Sequence, residues 1–235
     1  MYISSVHLSD ADNSPQAATI HEFYKDSFSV LYQTSVVDHT NPPDIEWMLI
    51  PMKKTLSDIS NPAAPEYFFD VRMTEDFSSP APQYLLLHGL GLKHTAPLCI
   101  KGMDFVSLIM AFQVAELYLK EKETALFSVI EQYNHYDNHQ DTRGYCASFA
   151  VSMTAGEFQI EKYGICHSKE EIRAVLNKEK FHDILVEEQS EKSSQHFLIR
   201  MFELLRRKSN FAEYKAVFAG SANGCFGYLI ISKGA

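Results

Sequence analysis

The side chains in this chain that could attack, ligate or move protons are four cysteines, ten histidines and thirty carboxylates. Cys99, Cys146, Cys166 and Cys225 are widely scattered, with no Cys-x-x-Cys spacing, and read as reduced thiols of a cytoplasmic protein, mostly buried as small hydrophobes. The stretch "NHYDNHQD" offers His135, Asp137, His139 and Asp141. A His-x3-His spacing on a helix would bring both rings to one face, as a zinc site requires. Asn, Asp and Tyr followed by Gly favour a solvated loop between strands instead, so no metal is expected. Cys146 with His135 or His139 imitates a thiol–imidazole pair, but nothing local supplies a third, orienting group, and a buried structural thiol is the reading. "SANGC" holds an Asn-Gly turn before Cys225 and reads as a tight strand connection with no nucleophile. "GLGLKH" has no following Gly-Lys-Thr and is not a phosphate loop, and no cofactor is expected.

These residues must be positioned by an ordinary globular body. The chain has 235 residues, is 46% hydrophobic and 22% charged, and is long enough for one large domain or two intimately packed halves. Its formal charge of −9, with both signs interspersed, argues against a nucleic-acid partner. No apolar stretch approaches the ~20 residues of a membrane span. The opening "MYISSVHLSD" lacks the basic and apolar regions of a secretion signal.

Along the chain, Tyr2–His7 reads as a strand and residues 17–35 as a helix. Ile45–Met52 reads as a buried strand, with a polar loop over 53–66 and a strand in "EYFFDVRM". "PQYLLLHGLGL" is a short helix closed by Gly89 or Gly91. "HTAPLCIKGMDFVSLIMAFQVAELYLK" turns from a buried strand into a helix that is apolar nearly all round, which marks burial on two sides. "TALFSVIEQY" is a strand, and "YCASFAVSMTAG" and "EFQIEKYGICH" read as an antiparallel pair. Two charged amphipathic helices flank "FHDILVEEQ", and two strands, "YKAVFAG" and "YLIISK", close the chain. The alternation implies an α/β protein with helices covering a mixed sheet.

Four stretches carry a resemblance: "PPDIEWMLIPM", residues 76–132, "DTRGYCASFAVSM" and "YKAVFAGSANGCFGYLIISK". In order and spacing they resemble the thiolase superfamily, specifically ketoacyl synthases of the type III and chalcone-synthase kind. The resemblance implies a layered α-β-α-β-α fold, with a complete first half over 1–165 and a shortened second half over 166–235. In that family a cysteine at the strand-to-helix turn accepts an acyl group, its thiol pKa lowered by the helix dipole. Aligning Phe105 with the family's Cys-x-Gly-Phe pattern puts Gly102 at the nucleophile position. Cys99, three residues upstream, is expected to point into the sheet packing, and Asp104 to cap the helix or sit in its first turn. The family's histidine and asparagine positions fall on Glu188 and Glu191, carboxylates that would repel an enolate. Tyr145 and Cys146 replace the Asp-Gly of its Gly-Asp-Gly-Ala turn.

The resemblance therefore implies the fold of a condensing enzyme without its nucleophile. Such a chain is expected as the non-catalytic half of a heterodimer with a full-length ketosynthase, in polyketide, quinolone or fatty-acid-like biosynthesis. It would meet acyl carrier protein or acyl-CoA through that partner, and "APLCI" would be the strand that pairs across the interface. A stand-alone acyltransferase or thioesterase using Cys99, Cys146 or another side chain is one alternative. A homodimer that binds an acyl carrier or ligand is another, and the helix carrying Arg200, Arg206, Arg207 and Lys208 could dock an acidic carrier.

Overall fold

The computed structural model describes residues 1–10, 46–59, 64–72, 82–131, 145–177, 180–186, 197–208, 212–222 and 224–234. The helix expected over 17–35 lies outside them, as do His135, Asp137, His139, Asp141, Glu188 and Glu191. In chain order the elements are β1 (Tyr2–Asp10), α1 (Glu46–Asp58), β2 (Tyr67–Arg72), α2 (Pro82–Gly89), β3 (Ala96–Lys101), α3 (Asp104–Tyr118) and β4 (Thr124–Glu131). Then follow β5 (Tyr145–Ser152), β6 (Phe158–Cys166), α4 (Lys169–Leu176), β7 (Asp183–Val186), α5 (Phe197–Lys208), β8 (Lys215–Ala222) and β9 (Cys225–Lys233).

The strands form one ladder in the order β3-β2-β4-β5-β1-β6-β9-β8-β7. β2 runs parallel to β3 and β4, β7 runs parallel to β8, and the remaining pairs are antiparallel. The ladder is narrow at one seam: β1 meets β6 only through Tyr2↔Gln159 and Ile3↔Phe158. Across that seam the sheet doubles over. Helix α3 packs against β2 and β3 on one side and against β6, β8 and β9 on the other, and α5 lies beside it on β1 and β5. Helices α1 and α2 cover the outer face of the first half, and α4 covers β6 and β9. The result is the expected layered α-β-α-β-α arrangement.

Sequence explains why α3 takes the middle. Phe105, Val106, Leu108, Ile109, Ala111, Phe112 and Ala115 are all buried, so the helix is apolar nearly all round from 105 to 112, and its exposed polar side chains are confined to Asp104 at its start and Gln113 and Glu116 near its end. An aromatic row fixes its seat: Phe69 stacks on Phe127 at 4.5 Å, Phe127 on Phe149 at 5.2 Å, and Phe112 of α3 lies 5.5 Å above Phe127. The three sheet rings are cross-strand partners on adjacent strands, so register alone lines them up. By contrast α4 buries only Ile172, and Ser168 caps it by accepting from the Glu171 N–H at 3.2 Å. No helix among the described residues is long and apolar enough to cross a membrane.

Two expectations are corrected. Residues 46–58, read as a strand and a loop, form a helix despite Pro51 inside it. Proline has no N–H, so Trp47 loses its normal intrahelical donor. The Ser9 hydroxyl donates to the Trp47 carbonyl at 2.6 Å and fills that role. A short apolar run cannot distinguish strand from helix by period, and here the donor comes from 38 residues upstream. Strands β5 and β6, read as a pair, are separated by β1, which pairs antiparallel with both. Closeness in sequence favoured a hairpin, and a non-local strand displaced it.

Candidate functional site at the head of α3

Parallel pairing brings the C-terminal ends of β2 and β3 together where the chain turns into α3. Arg72 pairs with Lys101, and the Gly102 N–H donates to the Arg72 carbonyl at 3.2 Å. The turn uses two left-handed residues, Gly102 at φ 85° and Asp104 at φ 41°. Glycine adopts such a φ freely, whereas aspartate does so at a cost. Asp104 is the first residue of α3, as expected, but the capping position is Met103, which has no side-chain capping hydrogen bond. The Met103 N–H instead donates to Ser107 Oγ at 3.0 Å. Desolvation raises the Asp104 carboxyl above its ordinary value. Gly102 places no side chain at the turn, so this position offers nothing to acylate.

Behind the turn lies a buried charge pair that the sequence reading missed. Asp70 and Arg72 stand two apart on β2 and share the outer face of the sheet, opposite the Phe69–Phe127 row. Arg72 Nε donates to Asp70 Oδ2 at 3.0 Å, and Ser128 Oγ donates to Oδ1 at 3.4 Å. Asp70 is 0% exposed and Arg72 5%. Burial pushes the Asp70 carboxyl up, and Arg72, Ser128 and the more distant Lys101 pull against it. The signal was present in "FFDVRM": opposite charges at i and i+2 inside an apolar strand must face the same way.

Cys146 stands on the same outer face, fully buried, with its thiol directed to the Met48 carbonyl at 3.7 Å. Desolvation, then the Asp70 charge, push this thiol far above the cysteine range, so it is a weak attacking group. Cys99, expected to point into the packing, is exposed because β3 is an edge strand, with no neighbour beyond it among the described strands. Desolvation of the sulfur and then the cross-strand Asp70 still raise its thiol. Cys225 opens β9 and pairs with Ala222 across the connection from β8, with Gly224 between them at φ 81°. Among the described residues no group of three His, Cys, Asp or Glu side chains is placed to hold a metal.

β3 forms one end of the ladder of described strands, and two exposed tyrosines lie on elements next to it. Tyr84 of α2, which packs on β3, is exposed, and so are Leu117 and Tyr118 at the end of α3. Tyr118 lies against Tyr67 with ring centroids 5.9 Å apart, and Tyr67 pairs with Ala96 at the start of β3.

No protein-family model matches the sequence, and no curated protein does. Solved structures do match. AbyA1, a tetronic acid condensing enzyme, aligns over 99% of this chain and 100% of its own, with 11% identity and a TM-score of 0.64. An OleA variant from Xanthomonas campestris aligns over 99% and 97%, with 10% identity and a TM-score of 0.62. The 3-oxoacyl-(acyl carrier protein) synthase III from Pseudomonas aeruginosa aligns over 72% and 77%, with 12% identity and a TM-score of 0.52. At such identities the likeness is one of architecture, and by architecture this chain has the thiolase-like fold of the condensing enzymes.

Proposed function

We propose that the chain is the non-catalytic subunit of a heterodimeric β-ketoacyl synthase, which stabilises a full-length ketosynthase and shapes its acyl tunnel. The observation that carries this reading is Gly102. It stands at the strand-to-helix turn of a condensing-enzyme fold, where the resemblance puts a nucleophilic cysteine, and it has no side chain. A subunit without that group acts through what it holds rather than what it attacks.

The edge of β3 supports the partner half of the reading. Among the described strands β3 has one unpaired edge, which invites a second chain, and the exposed Tyr84 and Tyr118 lie on elements next to it. Joining β3 to the matching strand of a ketosynthase continues the ladder and covers that surface. The acyl carrier protein or acyl-CoA would then be engaged at the partner's site.

The test is co-expression with a full-length ketosynthase from the same genome. The reading expects a 1:1 complex whose condensation activity disappears when the partner's cysteine is replaced. Activity should persist when Cys99 and Cys146 of this chain become serine. A stable homodimer that ignores the ketosynthase, or condensation by this chain alone, overturns it.

A further inference from the structure

Hydrogen bonds at the two ends of β3 fix which of its backbone groups face β2. The Ala96 N–H donates to the Glu66 carbonyl at 2.9 Å, and the Gly102 N–H donates to the Arg72 carbonyl at 3.2 Å. In a parallel ladder of this register, alternate residues bond to the same neighbour. Ala96, Leu98 and Ile100 therefore turn their backbone polar groups toward β2. Pro97, Cys99 and Lys101 turn theirs toward the edge that is free among the described strands. There Cys99 and Lys101 each offer a donor and an acceptor, and Pro97 offers an acceptor alone. All three side chains share the outer face with Asp70 and Arg72, and those of Cys99 and Lys101 are exposed.

Two copies of one edge meet about a two-fold axis, which makes the new pair antiparallel. Only the register that sets Cys99 opposite its copy keeps all three edge residues in the ladder. Pro97 of each chain then faces Lys101 of the other. Each of those pairs makes one hydrogen bond where ordinary residues make two, and the Lys101 carbonyl is covered without a donor. The outer face offers no compensation, because the Lys101 ammonium meets a proline ring. Proline and lysine on an exposed edge are devices by which sheets avoid pairing with their own copies.

We propose that β3 is built to reject its own copy and to take an antiparallel strand of an unlike chain, in which an aspartate or glutamate faces Lys101. That residue donates its N–H to the Lys101 carbonyl, and its carboxylate lies beside the ammonium. An unlike strand meets Pro97 once, so one bond is lost instead of two. The inference deepens the heterodimer reading and rests on it for β3 as the contact strand.

The test puts the missing chemistry onto this chain and measures whether it then pairs with itself. Self-pairing sets the two Cys99 Cα atoms about 5.5 Å apart, within disulfide range. The equilibrium constant for a Cys99–Cys99 disulfide in glutathione redox buffer therefore reads the pairing. Peptide mapping identifies the link, Cys99→Ser removes it, and circular dichroism checks that each variant is folded. Because the proline nitrogen faces outward, substitution there breaks no internal hydrogen bond. The parent chain should stay almost unlinked. Pro97→Gln supplies the N–H at both pairs and should raise the constant roughly 30-fold. Pro97→Glu, of the same shape, adds a carboxylate opposite each Lys101 and should raise it about fivefold further. High salt should erase the second gain and leave the first. A parent chain that links as readily as Pro97→Gln, or folded variants that link no better than the parent, overturns the rejection of self. Equal linking by Pro97→Glu and Pro97→Gln overturns the acidic partner. Failure to form a ketosynthase complex would sink the heterodimer reading and leave these ratios as they are.

Discussion

Replacing Arg72 by methionine removes the guanidinium that lies 3.0 Å from the Asp70 carboxylate while keeping most of the aliphatic stem. Asp70 is fully buried, so the carboxylate left behind has only Ser128 Oγ at 3.4 Å and the more distant Lys101 to compensate it. Its penalty has a ceiling, because the group can always take up a proton. A carboxyl that ionises near 3.9 when unfolded costs ~1.36 kcal/mol per pH unit to keep protonated, about 4 kcal/mol at pH 7 and about 1.5 at pH 5. The sign follows from the direction of the shift. A folded-state pKa raised above the unfolded one means the unfolded chain releases its proton first. Stability is then lost as pH rises past the unfolded value. Asp70 is already raised with Arg72 present, so part of this loss belongs to the parent protein. Urea unfolding followed by circular dichroism should show Arg72→Met less stable by roughly 2–4 kcal/mol at pH 7 and by about 1 at pH 5. Adding Asp70→Asn should restore at least half of the deficit, because neither charge of the Asp70–Arg72 pair remains. A deficit that is the same at both pH values, or a double variant as unstable as Arg72→Met, refutes the argument.

Three further outcomes follow from local geometry. Ser9→Ala leaves the Trp47 carbonyl without the hydroxyl that replaces the missing Pro51 N–H, and should cost about 1–2 kcal/mol; in a Pro51→Ala background the same change should cost almost nothing, as urea midpoints would reveal. Asp104→Gly relieves a left-handed φ of 41° and removes a desolvated carboxyl, so thermal unfolding should report a gain of up to about 1 kcal/mol; a clear loss would mean that the carboxylate has a stabilising role. Gly227→Ala pushes a methyl to 3.0 Å from Ile109 Cγ1 and should cost about 1–3 kcal/mol; a neutral result would mean that α3 moves away freely.

Much of this architecture was legible because the strongest signals are local. The all-round apolar face of α3 announced a central helix, and Gly91 and Gly102 marked turns that do adopt positive φ. The errors share a cause. The apolar run over 45–52 read as a strand because the donor that lets Pro51 sit inside a helix, Ser9, lies far upstream, and β1 came between β5 and β6 from far away in the sequence. The same holds at the head of α3. Gly102 could be placed from its neighbours, but the exposure of Cys99 depends on which strands flank β3. Spacing in sequence carries no trace of such a pairing.

The position of β1 also sets a schedule for synthesis. Tyr2–Asp10 is made well over a hundred residues ahead of its partners, residues 145–152 and 158–159. At ~5–20 residues per second, a ribosome leaves this strand waiting on the order of ten to thirty seconds before β5 emerges. During that interval β2, β3 and β4 can pair among themselves, while β1 and the β5-facing edge of β4 stay open to other chains. The place of β5 between β4 and β1 therefore makes residues near 150 a checkpoint. A nascent chain stalled before that point exposes two strand edges at once, whereas one that passes it can close both with β5.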